Sequence, residues 1–300
     1  MSIFIFILCY NVSGDVMELV KNFKDYEIIS MSKGEKLERW GKYFFLRPDP
    51  EIIWEEEMNL SKLDAHYHRN KSGGGYWEYL NNVPENFTIN YKDLKFNVKL
   101  MGFKHTGIFP EQSINWDYIR EKIKKEQRTI KVLNLFGYTG CASIACLSEN
   151  AEVVHVDASK GTIDLCKENV RLNHFEDRKI RYIVDDCVKF VERELRRGNK
   201  YDAIIMDPPS FGRGSNKEVW DINKDLFNLV SLCSKILSDD PIFFLINTYT
   251  TGLSKTVIEN VLALTVGKKY QGKITSYELG IKGRDNLILP CGETCRWEKI

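Results

Sequence analysis

From residue 131 to residue 246, short apolar runs alternate with longer helix-patterned stretches, and most runs stop at a glycine or an acid. The strand-like runs are 132–136, 153–156, 180–184, 203–206 and 242–246, with helix-like stretches such as 162–173 and 188–197 between them. Alternating β and α with short links predicts a mostly parallel sheet with helices on both faces. Ligands of such a sheet bind beyond the carboxyl ends of the strands, where strand order reverses. The candidates are therefore the residues that follow each run: Phe136-Gly-Tyr-Thr-Gly140, Asp157-Ala-Ser159, Asp185-Asp186 and Asp207-Pro-Pro-Ser210. Acids and glycines also terminate strands for structural reasons alone. Four polar ends on one edge weigh more than any one of them.

The first unit narrows the ligand. Val132-Leu-Asn-Leu-Phe-Gly-Tyr-Thr-Gly140 is a strand breaking into a glycine turn, and Asp157 closes the next strand 17 residues past Gly140. A glycine loop lets backbone approach a ligand, and an acid there accepts ribose hydroxyls. Gly137-x-x-Gly140 lacks the full G-x-G-x-x-G of a dinucleotide site, and no G-x-x-x-x-G-K-[ST] phosphate loop occurs. The expected ligand is a nucleoside without a phosphate chain, a description that S-adenosylmethionine meets.

Residues 25–100 read differently. The run 42–47 is strand-like and ends at the breaker Pro48-Asp-Pro50, while 86–100 alternates around a Lys-Asp turn as a hairpin does. The segment 113–127 reads as a helix leading into the core, and 273–279 and 286–289 as late strands forming an antiparallel edge hairpin. The expected organisation is a tail over 1–24, a small β-rich domain over 25–100 and a nucleoside-binding domain over 101–300. The apolar run 3–10 is far shorter than the roughly 20 residues of a membrane span and lacks the marks of a signal peptide. It reads as an edge strand, a sticky tail or translated upstream sequence before a start at Met17, the last two being favoured.

A net charge of +1 excludes a globally basic nucleic-acid coat but leaves room for a local basic face. The loop cations Arg69, Lys71, Arg213, Lys217, Lys282 and Arg284 are candidate phosphate contacts, or simply a solvated surface. Tyr76, Trp77 and Trp220 stack bases or pack, with packing preferred. Eight scattered cysteines without a C-x-x-C pair suit a reduced, cytoplasmic protein and offer no metal-ligand set. No membrane association is expected, and oligomeric state is not legible.

The strand-end motifs, taken with Gly102-Phe-Lys-His-Thr-Gly-Ile-Phe-Pro-Glu-Gln112, resemble those of class I S-adenosylmethionine-dependent methyltransferases, nearest the ribosomal-RNA large-subunit group that includes cytosine-5 enzymes. The resemblance covers about residues 25–300. It implies a Rossmann-like α/β fold with a seven-stranded, mainly parallel sheet whose last strand is reversed, S-adenosyl-L-methionine as cofactor, and RNA as substrate. The RNA-binding PUA domain found at the start of some relatives is not recognisable.

Roles follow on physical grounds beside that resemblance. Thr106, Gly107, Phe109 and Gln112 would line the methionine side. Asn134, Phe136, Gly137, Tyr138 and Gly140 would form the loop under the cofactor, its glycines bringing backbone close to the ligand. Asp157, with Ala158 and Ser159, would take the ribose hydroxyls. Asp186 would accept from the adenine amine, with Asp185 the spare, exposed or capping the next helix. Lys104 and His105 are polar neighbours of the methionine loop, and His105 is not read as a base.

Asp207-Pro-Pro-Ser210 resembles the Asp/Asn-Pro-Pro-aromatic loop of enzymes that methylate base amino groups, with Ser210 in the aromatic position and Phe211 next. Asp207, Pro208 and Ser210 are the catalytic candidates, Asp207 also touching the cofactor. Cytosine-5 transfer needs a thiolate, and neither Asp207-Pro-Pro-Ser210 nor Asn247-Thr-Tyr-Thr-Thr-Gly252 holds a cysteine. Cys291 is the remaining candidate thiol. The expectation is direct transfer to nitrogen. The competing readings are a methyltransferase for a small molecule or protein, a nicotinamide oxidoreductase, and a non-catalytic nucleic-acid-binding relative.

Overall fold

A computed structural model describes residues 17–70, 74–102, 104–213 and 219–300, so the apolar run at 3–10, Lys71 and Lys217 lie outside the described residues. The chain opens with β1 (Met17–Leu19), β2 (Tyr26–Ser32), β3 (Glu35–Trp40), β4 (Tyr43–Pro48), β5 (Ala65–Arg69), β6 (Gly75–Tyr79), β7 (Asn86–Tyr91) and β8 (Leu94–Lys99). A single turn of 3-10 helix at Pro110–Gln112 leads into α1 (Ser113–Lys125). Then come β9 (Lys131–Leu135), α2 (Cys141–Ser148), β10 (Glu152–Asp157), α3 (Lys160–Leu172), β11 (Ile180–Val184), α4 (Cys187–Arg197) and β12 (Ala203–Met206). The chain closes with β13 (Phe211–Arg213), β14 (Val219–Asp221), α5 (Ile222–Lys235), β15 (Phe243–Thr248), α6 (Lys255–Thr265), β16 (Lys273–Lys282) and β17 (Ile288–Glu298).

The central sheet has the order β1-β16-β17-β15-β12-β9-β10-β11. β9, β10, β11, β12 and β15 run parallel, and β17 is antiparallel to both β15 and β16. The expected seven strands with a reversed last one are present. Met17–Leu19 adds an eighth, pairing parallel with Glu278–Gly280 in a stretch read as tail. The late hairpin forms, but β17 inserts inward beside β15, so β16 is covered by β1.

Adjacent residues of one strand feed opposite layers. Val132 and Phe243 belong to a buried cluster with Trp116, Ile119 and Ile144, whereas Leu133 and Phe244 join Phe190, Leu229 and Ile258 on the other face. Burial on both faces explains why these strands read as unbroken apolar runs rather than alternating ones. Each such side chain contributes about 1.5–3 kcal/mol.

β2–β6 form a separate five-stranded sheet and β7–β8 a hairpin turning at Lys92, φ +53°. Ile28, Trp40, Phe45, Ile89 and Phe96 from these strands share the first cluster with Trp116 and Val132, so one continuous core joins them to the central sheet. Strand order reverses between β9 and β12, and the loops after both open at the same edge.

Candidate functional site

The loop leaving β9 is tightly constrained. Phe136 and Tyr138 adopt left-handed backbone at φ +53° and +51°, a conformation that costs non-glycine residues energy and persists only when neighbours fix it. Asp157 Oδ2 accepts from the Tyr138 N–H at 2.9 Å, Val156 O from Gly137 N–H at 3.0 Å, and Cys187 Sγ from Phe136 N–H at 3.4 Å. A Cβ on Gly137 would lie 2.3 Å from His155 Cε1. On Gly140, at φ +86°, it would lie 2.2 Å from Cys166 Sγ. These glycines press the loop onto β10 and α3, which is a different close approach from the one to ligand that their spacing suggested.

Beneath them Asn134 Nδ2 donates to Ser143 Oγ at 2.9 Å, and Ser143 Oγ lies 2.9 Å from His155 Nδ1. Among the described residues His155 Nε2, on the far side of the ring, is buried without a hydrogen-bond partner. Burial, partly offset by Asp157, lowers His155 to about 4, so this buried ring is neutral at physiological pH.

The loop roofs a cavity of about 60 Å³ at the carboxyl ends of β9 and β12. Of the sequence candidates, Gly107, Phe109, Gln112, Asn134, Phe136, Gly137, Tyr138 and Asp207 line it. Gly140, Asp157, Ala158, Ser159, Asp186, Pro208 and Ser210 do not. Thr106 does not either, being 1% exposed with its hydroxyl turned to Ile108 O at 3.4 Å.

The strand-end acids differ in how far they are engaged. Asp157 Oδ1 accepts from Ser159 N–H and Thr162 Oγ1, each at 2.9 Å. With the Tyr138 bond to Oδ2, Asp157 is held rigidly, and the acceptor site left open is on Oδ2. Ser159 caps α3. Asp186, not Asp185, caps α4 by accepting from Lys189 N–H at 2.9 Å, and Asp185 is half-buried against Arg193. Ser210 Oγ pairs with Thr250 Oγ1 at 2.7 Å, and Trp220 Nε1 takes the Pro209 carbonyl at 2.6 Å while its ring packs on Phe136. Phe211 stands 56% exposed beside them.

Asp207 is the acid whose chemistry is altered. Burial pushes its carboxyl up to about 7; the Asn247 amide, donating to Oδ1 at 3.1 Å, pulls the other way, and the negative charge of Glu111 adds to the rise. Asn247 belongs to a chain of hydrogen bonds that sequence reading missed. Thr294 Oγ1 donates to Asn247 Oδ1 at 2.9 Å, and Asn115 Nδ2 donates to Thr294 Oγ1 at 2.9 Å and to Gln112 Oε1 at 2.8 Å. Gln112 Nε2 donates to Tyr249 Oη at 2.8 Å, and Tyr249 Oη to Glu111 Oε1 at 2.9 Å. Glu111 is buried, and burial raises its carboxyl too. In sequence, Asn247 belongs to a strand end marked by its lack of cysteine, and nothing there singles out its amide. Nothing local marks Thr294, which lies 179 residues from Asn115.

A second opening of about 670 Å³ lies between the five-stranded sheet and the loop after β15, lined by Arg47, Lys104, Glu111, Tyr249 and Cys291 among others. Phe109 lines both openings and is their shared wall. Its ring lies 5.7 Å from Tyr138 and 5.4 Å from Tyr249. His105, lowered to about 4 by burial and then by Arg47 and Lys104, is neutral.

The thiols beside these openings are unactivated. Burial pushes Cys141, which lines the small cavity, up to about 12, and raises Cys291 well above the usual thiol range. Away from the openings, His66, His68 and Glu78 bring ligand atoms within 4.8 Å of one another, but His66 Nε2 pairs with Glu35 at 2.6 Å and His68 Nε2 with Glu78 at 2.7 Å. Among the described residues no helix is long and apolar enough to cross a membrane.

Comparison with known proteins agrees with this geometry. Residues 58–251 match the family model of S-adenosylmethionine-dependent methyltransferases. A crystal structure of a SAM-dependent methyltransferase from Agrobacterium tumefaciens is 32% identical, covering 97% of this chain and 96% of its own, with a TM-score of 0.91. The ribosomal RNA large subunit methyltransferase K/L of Shewanella sp. (strain MR-4) is 31% identical over 188 residues, 59% of this chain. That match spans only about a quarter of the relative's length, 26%. The tRNA m1G37 methyltransferase of M. jannaschii shares the fold, at 14% identity, a TM-score of 0.53, and 91% and 74% of the two chains.

Proposed function

The chain belongs to the S-adenosylmethionine-dependent methyltransferase family, and from that premise we propose that it methylates RNA, ribosomal RNA foremost, by direct transfer to a base nitrogen. The carrying observation is Asp207: a carboxyl near 7 on the cavity wall, aimed by Asn247, with no activated thiol lining either opening among the described residues.

The strand ends around the cavity offer the kinds of group that the cofactor would need. Gly107 and Gly137 give the cavity a backbone lining, and Asp157 and Asp186 stand as acceptors at two successive strand ends. We assign Asp157 to the ribose hydroxyls and Asp186 to the adenine amine. The loop 136–140 and the turn at Gly107–Phe109 cover the methionine end. The cofactor supplies an electrophilic methyl group; the chain's own residues do the rest by placement. Asp207 accepts from the substrate amino group and takes the proton that the nitrogen sheds. The Pro208 carbonyl offers a second acceptor, Phe211 a ring on which the base stacks, and Phe109 and Tyr138 keep water from the methyl group. Ser210, paired with Thr250, positions the loop.

RNA is supported by the name of the Shewanella relative and by cations beside the larger opening. The test is transfer of labelled methyl to total RNA from a strain lacking the gene, compared with RNA from its parent. Greater uptake by the former is expected. Equal uptake, with label entering protein or small molecules, would contradict an RNA substrate.

A further inference from the structure

The outer face of the five-stranded sheet gathers side chains that play no part in methyl transfer. Along β5, Ala65 and Tyr67 are buried, so His66 and His68 stand together on the opposite face. Antiparallel register sets His66 opposite Glu78 and His68 opposite Tyr76 on β6. Glu35, on β3, reaches past β4 to bring Oε1 within 2.6 Å of His66 Nε2, and Glu78 Oε2 lies 2.7 Å from His68 Nε2. The ligand atoms of His66, His68 and Glu78 are all within 4.8 Å of one another.

Two independent surface ion pairs would account for the carboxylates but not for the rings. The two imidazole centroids are 3.9 Å apart, and Tyr76 stacks on His68 at 5.2 Å and 28°, which orients that ring. Two imidazolium charges that close would repel each other. The partners of both carboxylates are imidazoles, not lysine or arginine. One divalent ion can serve both rings and both carboxylates at once. Zinc ligands sit about 2.0–2.2 Å from the ion, so the donor atoms of a tetrahedral site are about 3.4 Å apart. Spacings of 2.6 Å to at most 4.8 Å bracket that value, and the side chains, between 20% and 51% exposed, can close on an ion by small rotations. Two imidazoles favour a transition ion over magnesium or calcium.

The place of the cluster in the fold gives such an ion something to do. β5 joins β4 through only two register pairs, Phe45 with Ala65 and Leu46 with His66, and β6 is the edge of the sheet. The same hairpin holds the segment that leads into Gly107–Phe109: Tyr67 Oη donates to Gly102 O at 3.0 Å and Trp77 Nε1 to Met101 O at 2.8 Å. We propose that Glu35, His66, His68 and Glu78 form a site for one divalent transition cation of the zinc type, which fastens the β5–β6 hairpin to β3. On binding, the Nε2 lone pairs turn to the ion and each neutral ring keeps its proton on Nδ1.

The experiment uses the full chain without an affinity tag, stripped with a chelator and titrated with Zn²⁺, Co²⁺ and Mg²⁺. One Zn²⁺ per chain should bind, Co²⁺ should develop the visible bands of a tetrahedral site, and Mg²⁺ should show no saturable binding. His68→Gln and Glu78→Gln should each weaken Zn²⁺ by more than about tenfold, the smallest loss usual for a group that merely supports a ligand. Their metal-free melting temperatures should match that of the wild type; if one variant fails to melt cooperatively, the other carries the test. Zn²⁺ should raise the wild-type melting temperature and slow amide exchange over 65–69 and 75–79. Absence of one-to-one binding, an affinity that neither variant lowers, or Mg²⁺ bound as tightly as Zn²⁺ would overturn the site. Binding that leaves exchange in the hairpin unchanged would overturn its fastening role.

Discussion

The Asn247 side-chain amide donates to Asp207 Oδ1 at 3.1 Å across the ends of two neighbouring strands, β15 and β12. Parallel pairing in register, Met206 opposite Ile246, puts the two side chains side by side. Asn247 is itself 1% exposed and fixed by Thr294, so the Asp207 carboxyl has little freedom.

The first prediction concerns pH. A carboxyl that must accept from an amine works ionised, and Asp207 is raised to about 7, so methyl transfer should climb as pH rises through about 7. The sign for stability is opposite: between its unfolded value and about 7 the native state holds the extra proton, so Asp207 costs stability as pH rises through that window. In Asn247→Leu the lost bond to a charged group, roughly 1.5–3 kcal/mol, moves the rate transition up by about 1–2 pH units. A pH–rate profile in single turnover checks this; an unmoved transition would refute the role of Asn247.

A second prediction addresses the cofactor acid. Asp157→Ala should weaken S-adenosylhomocysteine binding by about 1.5–3 kcal/mol, roughly ten- to a hundredfold, in calorimetry. Part of that loss comes through the freed Tyr138 N–H, so Asp157→Asn, which keeps an acceptor, should lose less. Affinity unaltered in Asp157→Ala would remove it from the site.

The glycine loop gives a stability test. Gly137→Ala forces a Cβ to 2.3 Å from His155 and should destabilise the protein by about 1–3 kcal/mol in urea unfolding. In a His155→Ala background the same change should cost far less, since the clashing ring is gone. Additive losses would show that the glycine is required for another reason.

The pattern of these contacts explains what was legible in the sequence. The sheet was readable because burial on both faces makes β9, β10, β12 and β15 apolar runs, and because Asp157, Asp186 and Asp207 fall at or just past the carboxyl ends of β10, β11 and β12. Gly137 and Gly140 were visible as a turn, but their partners His155 and Cys166 come from β10 and α3. Spacing cannot say which body approaches a glycine. The chain Asn115–Thr294–Asn247 was invisible, since its members meet only after β17 inserts beside β15. The eighth strand is three residues long, below the length at which alternation carries a signal.

The thiols provide a further check. Cys141 and Cys291 line the two openings yet are held protonated by burial, so Cys141→Ser and Cys291→Ser should retain most activity. RNA carrying 5-fluorocytidine should form no covalent adduct on denaturing gels. An adduct abolished by one Cys→Ser change would establish a thiolate route.

Direct transfer to a base nitrogen, guided by Asp207, is the central claim. The measurement is labelled methyl transfer to RNA from the deletion strain, followed by digestion to nucleosides and identification of the labelled product. Label should appear in an N-methyl nucleoside, and Asp207→Ala should slow its appearance at least about a hundredfold while S-adenosylhomocysteine affinity is largely kept. Label in a C5-methyl pyrimidine, or a rate that Asp207→Ala leaves unchanged, would contradict it.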